Sequence, residues 1–189
     1  MIIVIINGQP AVGKLTIAKI LANLTDFKLF HHHLISDLSK ELFFYGSSGY
    51  YELNDILRLE SIKLFARHKV EGVLFPFWYC ANDYHEFILR LNQTAKDNDI
   101  SIIQAYLTGF IKEQHKRVLY PDRREFKKIN TIKDLEYLKK RKKYSVIPEV
   151  PTPRIDNTNI EPDLVAAMID SFWVEQKANR LKKFAQDFA

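Results

Sequence analysis

The run Gly8-Gln9-Pro10-Ala11-Val12-Gly13-Lys14-Leu15-Thr16 comes one residue after five β-branched aliphatic residues, Ile2 to Ile6. An unbroken run of that kind suits a strand covered on both faces. Ile17, Ile20, Leu21 and Leu24 then recur at helical spacing. A strand that turns through glycines into a helix aims backbone N–H groups and the positive end of a helix dipole at one point, which suits a phosphate. The spacing of Gly8, Gly13 and Lys14 alone would arise by chance in about one chain in twenty of this length. The flanking strand and helix therefore carry the inference. Gly8 to Thr16 are the candidate nucleotide-binding residues, with Lys14 reaching the terminal phosphates as a point charge.

At 189 residues and 47% hydrophobic, the chain is long enough for one well-buried core and is expected to form one domain, 1–189. The single Cys80 excludes an internal disulfide, and no Cys spacing of metal-site type occurs. Met1 leads straight into the first strand and no apolar run approaches a membrane span, so a cytoplasmic setting without membrane contact is expected. The net charge of +5 is unevenly placed. Residues 112–143 hold 13 Lys or Arg against 5 Asp or Glu, and the remainder holds 15 against 18. Such a segment can close over phosphates or bind nucleic acid, while Lys139 to Lys143 also fits a solvated helical face.

Further elements follow from apolar spacing and turn residues. Phe27 to His31 predicts a second strand, with Ser36 capping a short helix through Phe44 and Gly46 to Gly49 forming a mobile loop. A helix to about His68 precedes a third strand, Gly72 to Phe77. Asp83 and Glu86 predict a capping box. Ile100 to Leu107 predicts the fourth strand, Thr131 opens a helix with Asp134 three residues on, Arg154 to Asp156 predicts a fifth strand, and Pro162 starts a terminal helix. Alternating strands and helices imply an α/β fold with a parallel sheet and a ligand site beyond the strand C-termini.

Leu15 stands where most phosphate-binding loops of this spacing carry a Ser or Thr for Mg²⁺, and Thr16 comes one residue later. In this the chain resembles the adenylate-kinase-like branch of small P-loop kinases, which includes shikimate and gluconate kinases. The segment Phe30-His31-His32-His33-Leu34, the Arg-rich stretch and the closing Ile155-Asp156-Asn157-Thr158 extend the resemblance to bacterial kinase-like P-loop proteins. It implies a three-layer P-loop NTPase with a five-stranded sheet in the order 2-3-1-4-5, helices on both faces and a helical lid. It further implies ATP as donor, with the base held largely by main chain near Asn157 and Thr158. Mg²⁺ would be carried mainly by phosphate oxygens and waters. The acceptor region is then about 32–70 and the basic lid about 110–145.

Phosphoryl transfer asks for positioning and for charge on a closing segment. Lys14, Arg117, Arg123 and Arg124 are the candidate catalytic residues, because a guanidinium fork matches phosphate oxygens better than lysine does. Adjacent Arg123 and Arg124 diverge by about 100° on a helix, so one of them reaches phosphate; surface pairing with Asp122 and Glu125 is the alternative. His33, Asp37, Arg58 and Tyr79 are the candidate acceptor-binding residues. His33 either contacts the acceptor hydroxyl or packs as an ordinary histidine, and a metal reading of His31 and His33 lacks a third ligand. Asp37 either orients acceptor or Mg²⁺ or complements a helix dipole. Arg58 either clamps an anionic acceptor or pairs on a helix surface. Trp78 and Tyr79 close an aromatic run that is either core or pocket wall. The expected function is transfer of the ATP γ-phosphoryl group to a small acceptor. A regulatory ATPase without such an acceptor and a kinase acting on polynucleotide ends are the alternatives.

Overall fold

Residues 2–8 alternate between two buried environments, which fixes the layer arrangement. A computed structural model describes residues 1–121, 123 and 128–187. In strand β1 (Ile2–Gly8), Ile2, Val4 and Ile6 face one core and Ile3 and Ile5 the other. The side-chain period of two thus places apolar groups on both faces, as a fully covered strand requires. The first core includes Ile17 and Leu21 of α1 (Lys14–Leu24) and Val165, Ala166 and Ile169 of α7 (Pro162–Asp187). The second includes Leu59 and Ile62 of α3 (Ser48–Arg67) and Phe87 and Leu91 of α4 (Ala81–Asp97).

The sheet has five parallel strands in the predicted order β2-β3-β1-β4-β5, with β2 Lys28–Leu29, β3 Gly72–Pro76, β4 Ser101–Thr108 and β5 Arg154–Asp156. Central β1 pairs Ile5 with Phe75 of β3 and Gly8 with Leu107 of β4. All five strands therefore end at one edge, where their loops gather. The remaining helices among the described residues are α2 (His32–Leu42), α5 (Ile111–Val118) and α6 (Ile132–Arg141).

Four local expectations change. The second strand is only two residues long, because α2 starts at His32 and places His32 and His33 on a helical first turn instead of alternating strand faces. Ser36 does not cap that helix; it lies buried inside α2, bonded to the Tyr50 hydroxyl at 2.8 Å. The 46–49 segment is mostly helix start. Ser47 caps α3 by accepting the Tyr50 N–H, so the chain turns between α2 and α3 within residues 43–47. Asp83 lies in the first turn of α4, whose N-cap position is Cys80, and its carboxylate binds Lys142 at 2.6 Å. Thr131 does cap α6, accepting the Asp134 N–H at 3.1 Å.

Candidate active site

A cleft of about 1350 Å³ opens at the C-terminal edge of the sheet, floored by the Gly8–Thr16 loop. Two glycines make that loop possible. A Cβ on Gly8, at φ +141°, would meet the Leu107 carbonyl oxygen at 2.4 Å, and Gly13 adopts φ +89° at the N-cap of α1. Both are conformations that L side chains rarely tolerate. No side chain caps α1 and no acid lies in its first turn, so its leading N–H groups point at the cleft with their dipole uncompensated.

Lys14 lies across this floor and donates to the carbonyls of Gly8 (2.8 Å) and Gln9 (2.7 Å). Burial, followed by the positive charges of Arg123 and Lys128, pushes its ammonium down to about 7. A site that repels a proton this strongly is one that an anion would relieve. Pro10, Ala11, Gly13, Leu15 and Thr16 also line the cleft, whereas Gly8, Gln9 and Val12 act from behind it. Their carbonyls or side chains hold Lys14, Gln114 and Asn157.

One side of the cleft is the segment after β5. Asn157 is only 4% exposed, and its amide donates to the Val12 carbonyl at 2.7 Å. Arg117 of α5 donates to the Asn157 side-chain oxygen (3.3 Å) and main-chain carbonyl (3.0 Å), with Glu113 on its Nε at 3.1 Å. Arg117 thus braces the Asn157–Thr158 turn. The Thr158 hydroxyl accepts the Phe110 N–H at 2.9 Å and joins the Asp156 carboxylate. Arg123 lines the cleft nearer Lys14, its Nε held by the Ile129 carbonyl at 2.7 Å. Arg124 lies outside the described residues.

Helices α5 and α6 pack against the Gly8–Thr16 loop. Ala11, at φ +63°, packs on Val118 of α5 and Leu135 of α6. Gln114 of α5 donates to the Gln9 side chain (3.2 Å) and the Gly109 carbonyl (2.7 Å), and accepts from Lys139 at 3.1 Å. The 139–143 cluster is therefore more than a solvated face, since Lys139 and Lys142 both turn inward onto protein partners.

The other lobe of the cleft is bounded by α2, α3 and the start of α4. His33 lines it as a neutral imidazole, held down to about 4 by burial and then Lys128. His32, which the sequence did not single out, is neutral as well, held down to about 3 by burial and the Arg58 cation. Its Nδ1 accepts from Arg58 Nη2 at 2.6 Å. Arg58 is 2% exposed, paired to Asp55 at 2.9 Å and packed against the rings of Phe77, Tyr84 and Phe87. Asp37 faces away, exposed and paired with Lys40 at 3.2 Å. Tyr79 belongs to the core; Trp78, its neighbour, is the ring that reaches the cleft.

Asn7 is a second residue that the sequence analysis passed over. Fully buried at the end of β1, it accepts the N–H groups of Gly8 and Tyr79 and donates to Gln104 and to the Ser145 carbonyl. Gln104 in turn holds both main-chain groups of Ile147. One polar network thus ties the start of the Gly8–Thr16 loop to the returning segment 144–147. A lone polar residue closing a five-residue apolar run was the available signal.

Among the described residues no group of three or more His, Cys, Asp or Glu could hold a metal, and no helix is long and apolar enough to cross a membrane. Thr16 presents an exposed hydroxyl to the cleft beside apolar Leu15. That donor set suits a Mg²⁺ carried by nucleotide oxygens and waters better than one held by the protein.

No family model and no curated protein matches the sequence. Solved structures do match. A sugar kinase from Janibacter aligns at TM-score 0.64 and 12% identity, covering 92% of this chain and 94% of that one. A tunicamycin resistance protein from Deinococcus radiodurans aligns at 0.59 and 21%, covering 89% and 93%. Shikimate kinase from Acinetobacter baumannii, in complex with shikimate, aligns at 0.57 and 16%, covering 93% and 94%. The fold is that of the P-loop kinase-like proteins, as the sequence led us to expect.

Proposed function

We propose that the protein is an ATP-dependent phosphotransferase acting on a small acceptor. The observation that carries this reading is the convergence of an uncapped helix N-terminus with Lys14, Arg123 and Lys128 on the floor of a two-lobed cleft. The nucleotide triphosphate lies over Gly8–Thr16, with its base against Asn157 to Ile160. Lys14 leaves the Gly8 and Gln9 carbonyls and turns onto the terminal phosphates, regaining its full charge as it does so. Arg123 meets the transferred group, where charge spreads in the transition state. Arg117 acts one step back by fixing the base-side turn. Mg²⁺ bound with ATP would neutralise phosphate charge, and Thr16, which lines the cleft, would meet its water shell. His33, neutral near pH 7, takes a hydrogen bond from the acceptor hydroxyl.

The lid's inward-turned lysines favour a small acceptor over a polynucleotide end, because Lys139 and Lys142 are occupied by Gln114 and Asp83. The direct test follows label from the ATP γ-phosphate. We expect transfer to a small molecule by the wild type and at least a tenfold loss in Lys14→Ala at unchanged far-UV circular dichroism, about the worth of one charge-assisted hydrogen bond. Label moving only to water would make the protein an ATPase, and label moving to 5′-hydroxyl oligonucleotides would make it a polynucleotide kinase.

A further inference from the structure

The lobe opposite the nucleotide is walled by rings to an extent that the transfer reaction does not require. Tyr45, Tyr50 and Tyr51 come from the α2–α3 junction, Trp78 and Tyr84 from the β3–α4 junction, and Tyr144 from the segment that returns after α6. Within the first set, Tyr50 lies 5.1 Å from Tyr45 and 5.2 Å from Tyr51. Within the second, Trp78 lies 5.1 Å from Tyr84 and 5.6 Å from Tyr144. Interplanar angles of 56–87° make every one of these contacts tilted or edge-on. Parallel stacking would cover ring faces pairwise, whereas edge contacts leave ring surface open on the exposed Tyr45 and Tyr51 and on the half-buried Trp78; Tyr50, 2% exposed, and Tyr84, backed by Arg58 and Phe77, support them from behind. The two sets lie close enough for the Tyr84 phenol to feel Tyr50 and Tyr51.

Three cations along the same lobe are already committed to partners of this chain, and Lys128, the other one beside His33, lies on the Lys14 side of the cleft. Arg58, the obvious clamp, is buried and occupied by Asp55 and His32. Lys142 is paired with Asp83 and Lys40 with Asp37. Each of these three cations thus already holds a carboxylate of this chain. A carboxylate-bearing acceptor would have to compete with Asp55, Asp37 or Asp83 for one of these cations, most steeply at the buried Arg58, a competition that a neutral ring avoids.

Resting on the kinase reading, we propose that the acceptor is a neutral alcohol carrying a planar aromatic or heteroaromatic ring, seated between the Tyr45–Tyr50–Tyr51 and Trp78–Tyr84–Tyr144 ring sets. A nucleoside has this chemistry; a sugar acid or shikimate does not. The acceptor oxygen forms a bond to the ATP γ-phosphorus as the bond from that phosphorus to the β–γ bridging oxygen breaks. ADP leaves with the electron pair, and the hydroxyl proton passes to solvent. Arg58 is then a positioning residue, backing Tyr84 and orienting His32.

The test is a transfer assay with γ-labelled ATP and Mg²⁺ on the full chain, offering uridine, adenosine, thymidine and 2-phenylethanol alongside gluconate and shikimate. We expect label in at least one ring-bearing alcohol. Trp78→Leu should raise that acceptor's KM about tenfold or more, the range of one lost stacking platform, with the KM for ATP unchanged. Trp78→Tyr should restore most of the affinity, which a fold defect would not allow. Transfer confined to gluconate or shikimate overturns this inference and leaves the kinase reading intact. Transfer to a ring compound with wild-type KM in Trp78→Leu overturns the placement between the ring sets. ATP hydrolysis with no labelled acceptor overturns both.

Discussion

At the scale of single residues, Lys14 does the most unusual thing in the molecule. It sits with its ammonium against two main-chain carbonyls in a positive field, and its proton is held only to about pH 7. A bound triphosphate favours the charged form, so its pKa in the complex lies above 7. The linkage then has a fixed sign. Affinity contributed by the ammonium is fully present below pH 7 and declines as pH rises from there toward the pKa of the complex. Calorimetric titrations of ATP at pH 8 should therefore show proton uptake approaching one per site, read from the dependence of the heat on buffer ionisation enthalpy. Lys14→Ala should abolish that uptake. Equal proton counts in the two proteins would mean that Lys14 does not meet the phosphates. The sequence exposed Lys14 through its place after two glycines, but not its neighbours. The side-chain partners of Asn157 lie 40 or more positions away along the chain and the His32–Arg58 pair spans 26, so spacing alone could not join them; only the Arg58–Asp55 pair is local. Tyr79 and Trp78 show the same limit: adjacent in the loop after β3, one enters the core and the other reaches the cleft, and no local spacing decides which.

At the scale of elements, the α5–α6 segment expected to act as a lid is anchored by few apolar side chains. Val118, Leu135 and Ala11, with Ile129 against them, form a small cluster separate from the two main cores. Leu135 is completely buried there. Truncating a buried leucine costs about 2–5 kcal/mol when the site cannot collapse, and here the loss falls on the lid and the phosphate loop together. In Leu135→Ala, hydrogen exchange should accelerate across 111–118 and 132–141 and at Ala11, while β1 and β4 keep their protection. Uniform acceleration throughout the sheet would instead make the lid part of the global folding unit. The helix of this lid that opens at Thr131 was legible from a Thr and an Asp three residues apart, a local signal. The early start of α2 was not, because the helix overrides strand-like residues at His32 and His33 to bring His32 beneath Arg58.

Over the whole molecule, five parallel strands end at one edge, and the cleft there is lined by the Gly8–Thr16 loop after β1, His33 after β2, Trp78 after β3 and Asn157 after β5. That much follows from the strand–helix alternation, since parallel strands with crossover helices must end together. Division of the cleft into a charged lobe and a ring-lined lobe depends on the return of segment 144–147 over the sheet, held by Asn7 and Gln104. The central claim is that the triphosphate binds across Gly8–Thr16 with its base beside Asn157. A backbone amide spectrum titrated with a non-hydrolysable ATP analogue and Mg²⁺ tests this most directly. The account predicts the largest shifts at Gly8, Ala11 to Thr16 and Asn157 to Ile160, with small ones at Tyr45 to Tyr51. Shifts confined to Lys139–Lys143, or absent from the Gly8–Thr16 loop at saturation, would contradict it.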